Sequence, residues 1–152
     1  MQSNRRQILT GFLATGLIGS AVANAVADDA AGWPAQAFKQ KSQDDAIKAL
    51  FGKPVTASDQ ITLEVPEIAE NGAVVPISVS TKLPNVTSIS LIIPENPSAL
   101  AASYTLGEGS LPSIGSRLKM AKTSDVVAVV ESDGKLYSTA KQVKVTLGGC
   151  GG

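Results

Sequence analysis

The chain has 152 residues, and its 13 basic and 13 acidic side chains give a formal net charge of zero. It contains no histidine and a single cysteine, which excludes the usual general base, the commonest metal ligand and an internal disulfide. Apart from one pair near the N-terminus the basic residues do not cluster, so neither nucleic acid nor an anionic membrane surface is an expected partner.

The first 27 residues have the three-part layout of an export signal. A twin-arginine pair, Arg5 and Arg6, precedes an uncharged apolar run over 8–22, and two Ala-x-Ala cleavage sites follow that run. The run is about 15 residues long, shorter than the roughly 20 of a transmembrane helix, which favours a cleaved signal over a membrane anchor. The sequence therefore predicts export by the twin-arginine route and a periplasmic mature protein that begins near Asp28.

About 125 residues remain after cleavage, enough for one domain with a modest core. Loss of Arg5 and Arg6 from the 13 basic residues leaves 11 against 13 acidic residues, a slight negative charge. We predict that the domain covers 28–147 and consists of a short helical segment followed by a β-rich body.

The helical segment carries clear start and stop signals. Ser42 is a suitable N-cap, Asp44 and Asp45 would lie in the first turn, where the helix dipole favours anions, and Gly52 ends the pattern. Three aromatic residues are expected to pack this segment onto the sheet: Trp33, Phe38 and Phe51.

From residue 60 onward apolar and polar residues alternate with the period of a strand. The strand candidates are 61–65, 75–79, 86–93, 102–106, 114–120, 126–130, 135–138 and 143–147. Pro76 marks a sheet edge or a bulge, and Ser132-Asp133-Gly134 has the composition of a hairpin turn. Short strands with turns every 8–12 residues predict an all-β, immunoglobulin-like antiparallel β-sandwich.

The chain ends in Gly148-Gly149-Cys150-Gly151-Gly152, directly after the last predicted strand. Because glycine leaves the backbone free, we predict a flexible tail over 148–152 that reaches on the order of 16–18 Å. Cys150 is thus a candidate site for covalent attachment of a cargo. The sequence shows no pattern typical of an active site or a metal site, so we expect no catalytic residues, no metal and no enzymatic activity.

These features resemble the SoxY family, the sulfur-carrying subunits of the SoxYZ complex in periplasmic thiosulfate oxidation. The resemblance covers essentially the whole chain and rests on the twin-arginine leader, on the segment PEIAENGAVVP at 66–76 and on the terminal GGCGG. It implies a carrier: Cys150 would hold sulfur intermediates covalently, with no other cofactor, while enzymes such as SoxAX, SoxB and SoxCD load, oxidise and hydrolyse them.

The resemblance also implies a heterodimer with a SoxZ-like subunit, a second sandwich protein. For the contact surface, the apolar stretch 89–93 is the sequence-based choice.

Two other functions are compatible with the tail. One is a cytoplasmic-type sulfur carrier in which the terminal Gly151-Gly152 becomes a thiocarboxylate. The export signal disfavours this function, because the ATP-dependent activation of such tails takes place in the cytoplasm. The other is an exported structural module that forms an interchain disulfide through Cys150. Prenylation is disfavoured because the cysteine is third from the end, not fourth.

Overall fold

The structure is a computed structural model that describes residues 32–149. The predicted export signal, Cys150, Gly151 and Gly152 lie outside the described residues. No helix within the described part is long and apolar enough to cross a membrane.

The helical segment consists of a 3₁₀ turn, Ala37–Lys39, and one α-helix, α1, Gln43–Phe51. The predicted caps are confirmed. Ser42 Oγ accepts a hydrogen bond from the backbone N–H of Asp45, and Gly52 ends the helix in the left-handed conformation, with φ 63°.

Two of the three aromatic residues pack as expected. Phe38 and Phe51 are partly buried against the cluster beneath α1. The prediction is wrong for Trp33, which is 59% exposed and stacks on Phe38 with ring centroids 4.8 Å apart. Its ring extends the aromatic surface outward instead of entering the core.

Nine strands form the body of the domain. They are β1 Val55–Ala57, β2 Ile61–Glu64, β3 Ile68–Ala69, β4 Val75–Thr81, β5 Val86–Ile92, β6 Leu100–Thr105, β7 Ser113–Leu118, β8 Ser124–Ser132 and β9 Lys135–Val145. One sheet has the order β1-β9-β8-β5-β6, with β3 also paired to β9, and the second has the order β2-β4-β7. The two sheets pack face to face as the predicted immunoglobulin-like sandwich.

The predicted hairpin is confirmed as the turn between β8 and β9. Asp133 and Gly134 both have positive φ, 49° and 72°, as a tight turn between right-twisted strands requires. The candidate 135–138 and the first part of 143–147 belong to the single strand β9, which ends at Val145. Its polar middle section joins them because it pairs with β8, for example at Val126↔Lys141. This long strand carries the chain to the predicted tail.

Two short strands were not predicted, and both run parallel to β9. β1 pairs with its first half and β3 with its end. The edge predicted at Pro76 is also present: Pro76 lies opposite Arg117 of β7, at a level of β4 where β2 no longer pairs.

The core has two parts, one between the sheets and one between α1 and the larger sheet. The stretch 89–93 is entirely within them: Ile89, Leu91 and Ile93 face the first part and Ile92 the second, all fully buried. The expectation that this stretch contacts a partner subunit is therefore wrong. The stretch is apolar apart from Ser90 because β5 has a strand on each side and a covered layer on each face.

Candidate functional site at the root of the C-terminal tail

Of the predicted site residues, Gly148 and Gly149 are described, whereas Cys150, Gly151 and Gly152 lie outside the described residues. The geometry that bears on Cys150 is therefore that of the chain immediately before it, from the end of β9 to Gly149.

The chain remains hydrogen-bonded after β9 ends. The Val145 N–H donates to Thr123 Oγ1 at 2.9 Å, and the Thr146 N–H donates to the carbonyl oxygen of Ala69 at 3.1 Å. The Thr146 hydroxyl donates to the carbonyl oxygen of Glu70 at 3.0 Å. The two bonds of Thr146 continue the parallel pairing of β3 with β9 toward the C-terminus, and the bond to Thr123 adds a contact with the loop after β7.

Three backbone hydrogen bonds then join Gly72, Met120, Leu147 and Gly149, a group that we call the glycine clasp. The Gly72 N–H donates to Leu147 O at 2.7 Å, the Met120 N–H donates to Gly72 O at 2.7 Å, and the Gly149 N–H donates to Met120 O at 2.9 Å. Gly149 is thus held between two loops of the domain. One contains Gly72 and precedes β4, and the other contains Met120 and follows β7.

Side chains cannot be accommodated within the clasp. A Cβ on Gly72 would lie 2.8 Å from the Gly149 nitrogen and overlap the carbonyl oxygen of Met120. A Cβ on Gly149 would overlap the carbonyl of Gly72, and one on Gly148 would overlap the carbonyl oxygen of Ala121. Glycine is required at these positions because the backbones approach one another closely.

Gly148 and Gly149 are predicted to begin a flexible tail because they lack side chains, and this flexibility stays a prediction. In the structure the same lack of side chains allows close packing against Gly72 and Ala121. The hydrogen-bonded part of the domain extends two residues beyond the predicted boundary at 147.

One of the four clasp residues, Gly72, comes from the segment 66–76, one of the sequence features behind the family resemblance, and it takes part in two of the three hydrogen bonds. Ile68 and Ala69 form β3, and Asn71 Oδ1 accepts a hydrogen bond from the Ala73 N–H at 2.8 Å, which shapes the turn around Gly72. Sequence reasoning missed three residues of this site, Gly72, Met120 and Thr123, and the glycine within this motif was the available signal.

The charges elsewhere in the domain form no second candidate site. Lys53 Nζ donates to Glu131 Oε1 at 2.6 Å, and this hydrogen bond holds the pKa of the Glu131 carboxyl below its ordinary value. Within 32–149, no group of three or more His, Cys, Asp or Glu side chains could hold a metal ion.

Comparison with known proteins identifies relatives of this domain. Residues 47–150 match the family described as sulfur oxidation protein SoxY. The sulfur carrier protein SoxY from Chlorobium limicola f thiosulfatophilum is 46% identical, with a TM-score of 0.63 over 68% of this chain and 96% of that chain. A superoxide reductase (neelaredoxin) from Ignicoccus hospitalis is 18% identical, with a TM-score of 0.53 over 60% of this chain and 94% of that chain, and shares the fold alone. No curated protein matches the chain significantly.

Proposed function

Because the chain belongs to the SoxY family of sulfur oxidation proteins, we propose that it carries sulfur-oxidation intermediates covalently on Cys150. The single observation that carries the proposal is the position of this thiol. The family match ends at residue 150, and the structure leads the chain along β9 and through the glycine clasp to the residue directly before it.

The division of labour follows from what this chain contains. It offers one thiol and lacks histidine, the commonest general base, and in our proposal other proteins supply the acid–base chemistry at the sulfur. Enzymes such as SoxAX, SoxB and SoxCD would load, oxidise and hydrolyse the cargo in turn. This chain would supply the attachment point and a rigid base from which to present it.

The setting of this activity is part of the same proposal. The twin-arginine signal supports export to the periplasm, and the family supports a heterodimer with a SoxZ-like subunit. Export in a folded form would allow the two subunits to assemble before they cross the membrane.

Replacement of Cys150 by serine tests the function directly. We expect intact mass spectrometry to show sulfur adducts on the wild-type protein after incubation with thiosulfate, the loading enzyme and an electron acceptor that takes up the two electrons released when the S–S bond forms. No adduct is expected on Cys150→Ser. The free energy of unfolding should be nearly equal for the two proteins, because the exchange replaces one sulfur by oxygen close to the C-terminus, where substitutions are generally tolerated. Adducts on the serine variant would contradict the proposal.

The same experiment distinguishes the alternatives. Fragmentation that places the added mass on the Gly152 carboxylate would indicate a thiocarboxylate carrier. A wild-type protein found only as a covalent dimer that reductant separates, with no sulfur adduct, would indicate a structural module.

A further inference from the structure

We propose that an exposed apolar surface around the glycine clasp is the docking site for the enzymes that act on Cys150. The surface consists of Ile68, Val74 and Leu147, and we call it the apolar collar. The inference rests on the proposed function and names where its partners bind.

The collar is defined by exposure. Within the described residues five large hydrophobic side chains are mainly exposed, and three of them belong to the collar: Ile68 at 57%, Val74 at 54% and Leu147 at 64%. An exposed apolar group of this kind on a small domain is typical of an interaction surface.

Backbone hydrogen bonds bring the three residues to the same end of the domain. Ile68 lies in β3 opposite Lys144 of β9, and Leu147 accepts the hydrogen bond of Gly72. Val74 follows Gly72 by two residues, and its N–H donates to the carbonyl oxygen of Asn71. The collar therefore lies along two of the three chain segments that form the clasp, the one around Gly72 and the one that ends at Gly149.

The short distance from the clasp to the thiol determines which molecule covers the collar. Gly149 is bonded to Met120, and Cys150 is the next residue. With consecutive Cα atoms 3.8 Å apart, the sulfur lies within about 7 Å of the Gly149 Cα. A protein that takes this sulfur into its active site must therefore approach Leu147 closely while the clasp is closed. The occupant is the rim of such an active site.

The charges beside the collar indicate whether the active-site rim of the partner enzyme is charged or apolar. Glu67, Glu70 and Lys144 are exposed and of both signs, and the Lys144 N–H donates to the carbonyl oxygen of Glu67. This surface presents no single-sign field that would attract a highly charged partner. We infer an apolar rim, so that binding depends on burial of the collar and little on salt.

The test uses a triple variant of the full-length protein, Ile68→Thr, Val74→Thr and Leu147→Gln. The first two substitutions keep the β-branched shape that suits an extended backbone. The control is Leu111→Gln, since Leu111 is 82% exposed and lies next to Pro112, which is bonded to Thr81 at the far end of β4. Seven strand residues, about 20 Å, separate that end from Val74.

The KM for loading of Cys150 by the purified loading enzyme is measured by intact mass spectrometry. The rate of alkylation of the free thiol by iodoacetamide is measured in parallel. For the triple variant we expect a KM at least tenfold higher at both low and high salt, with alkylation within twofold of wild type. Leu111→Gln should change neither quantity. The single variant Val74→Thr, which leaves the clasp residues untouched, should raise KM in the same direction even if the triple variant is unstable.

Two results would overturn the inference. One is loading of all collar variants at the wild-type KM. The other is an unchanged KM combined with weaker binding of the SoxZ-like subunit or loss of self-association in sedimentation, which would assign the collar to that subunit or to a second copy of this chain. Failure of the proposed function itself is recognised separately, because the wild-type protein would then acquire no adduct on Cys150.

Discussion

The close packing of the glycine clasp can be tested by the addition of a single methyl group at Gly72. Its Cβ would overlap the carbonyl oxygen of Met120, whereas a Cβ on the strand glycine Gly115 would find its nearest neighbour, Ser78 Oγ, at 3.8 Å. We therefore expect Gly72→Ala to lower the free energy of unfolding by about 1–3 kcal/mol, as overpacking generally does. Gly115→Ala should change it by less than about 1 kcal/mol.

Urea denaturation of both variants measures this difference, and amide hydrogen exchange locates it. In Gly72→Ala the Gly149 N–H should lose protection, because the added methyl group displaces the carbonyl that holds the last described residue. Equal stability of the two alanine variants would show that the clasp is not a close-packed feature in solution.

Glu131 makes the free energy of unfolding depend on pH. It lies near the β8–β9 turn, at the other end of β9 from the clasp. The hydrogen bond from Lys53 lowers the pKa of its carboxyl, burial opposes that effect, and Thr87 Oγ1 adds a second hydrogen bond at 3.1 Å. A carboxyl with a lowered pKa in the folded state stabilises the protein above its unfolded pKa, and this contribution disappears as the pH falls through the folded pKa.

For Glu131→Gln we thus expect a loss of up to about 1 kcal/mol at pH 7, since Lys53 is 44% exposed and solvent weakens the pair. The difference from wild type should shrink as the pH falls to about 3. The control is Glu95→Gln: the side chains of Lys122 and Glu95 are 65% and 50% exposed, so its loss should be smaller. A Glu131→Gln deficit that is constant from pH 7 to 3 would contradict this account.

At the scale of elements, the end of β9 depends on a side chain outside the strand. Thr123 Oγ1 accepts the hydrogen bond of the Val145 N–H at 2.9 Å. Thr123→Val keeps the shape but removes the acceptor, so we expect a loss of about 1 kcal/mol and faster exchange of the Val145 amide. The matched control is Thr62→Val, at an exposed position of β2. Unchanged exchange at Val145 would show that the hydroxyl does not stabilise the strand end.

The elements that were predictable from sequence are those with a local signal. The helix caps at Ser42 and Gly52 and the hairpin at Asp133-Gly134 depend on residues next to one another in the chain, and all three are present. Strand β9 was divided in two because 139–142 lacks alternation, and only its pairing with β8 continues it. The short strands β1 and β3 have no signal of their own, because their partner is distant in the sequence.

The site was predictable to a similar degree. A lone cysteine between glycines identifies Cys150 as a candidate attachment point without any knowledge of the fold. The clasp could not be predicted, because Gly72 and Gly149 are linked through hydrogen bonds to Met120, which is distant from both in the sequence; the glycine in the motif signals a constrained position but not its partners. The same glycines are compatible with freedom and with close packing, and only their surroundings decide between the two.

At the scale of the whole molecule, the sandwich has two strand edges on the same side. Within the described residues, β6 pairs only with β5 and β7 only with β4, and the Tyr104 hydroxyl donates to Ser116 Oγ at 2.8 Å between these two edge strands. Unpaired strand edges favour association with other chains unless they are covered. With 89–93 buried, this side is where we expect a SoxZ-like subunit to bind.

The test is sedimentation of the Cys150→Ser protein alone and with the SoxZ-like subunit, combined with amide hydrogen exchange. We expect the chain alone to self-associate weakly even without its cysteine, because the strand edges remain uncovered. Addition of the subunit should give a 1:1 complex and protect amides of β6 and β7, while those of the central strand β5 change little since they are already paired on both sides. A complex that protects neither edge strand would assign the subunit to another surface. A stable monomer that does not bind the subunit would contradict the heterodimer itself.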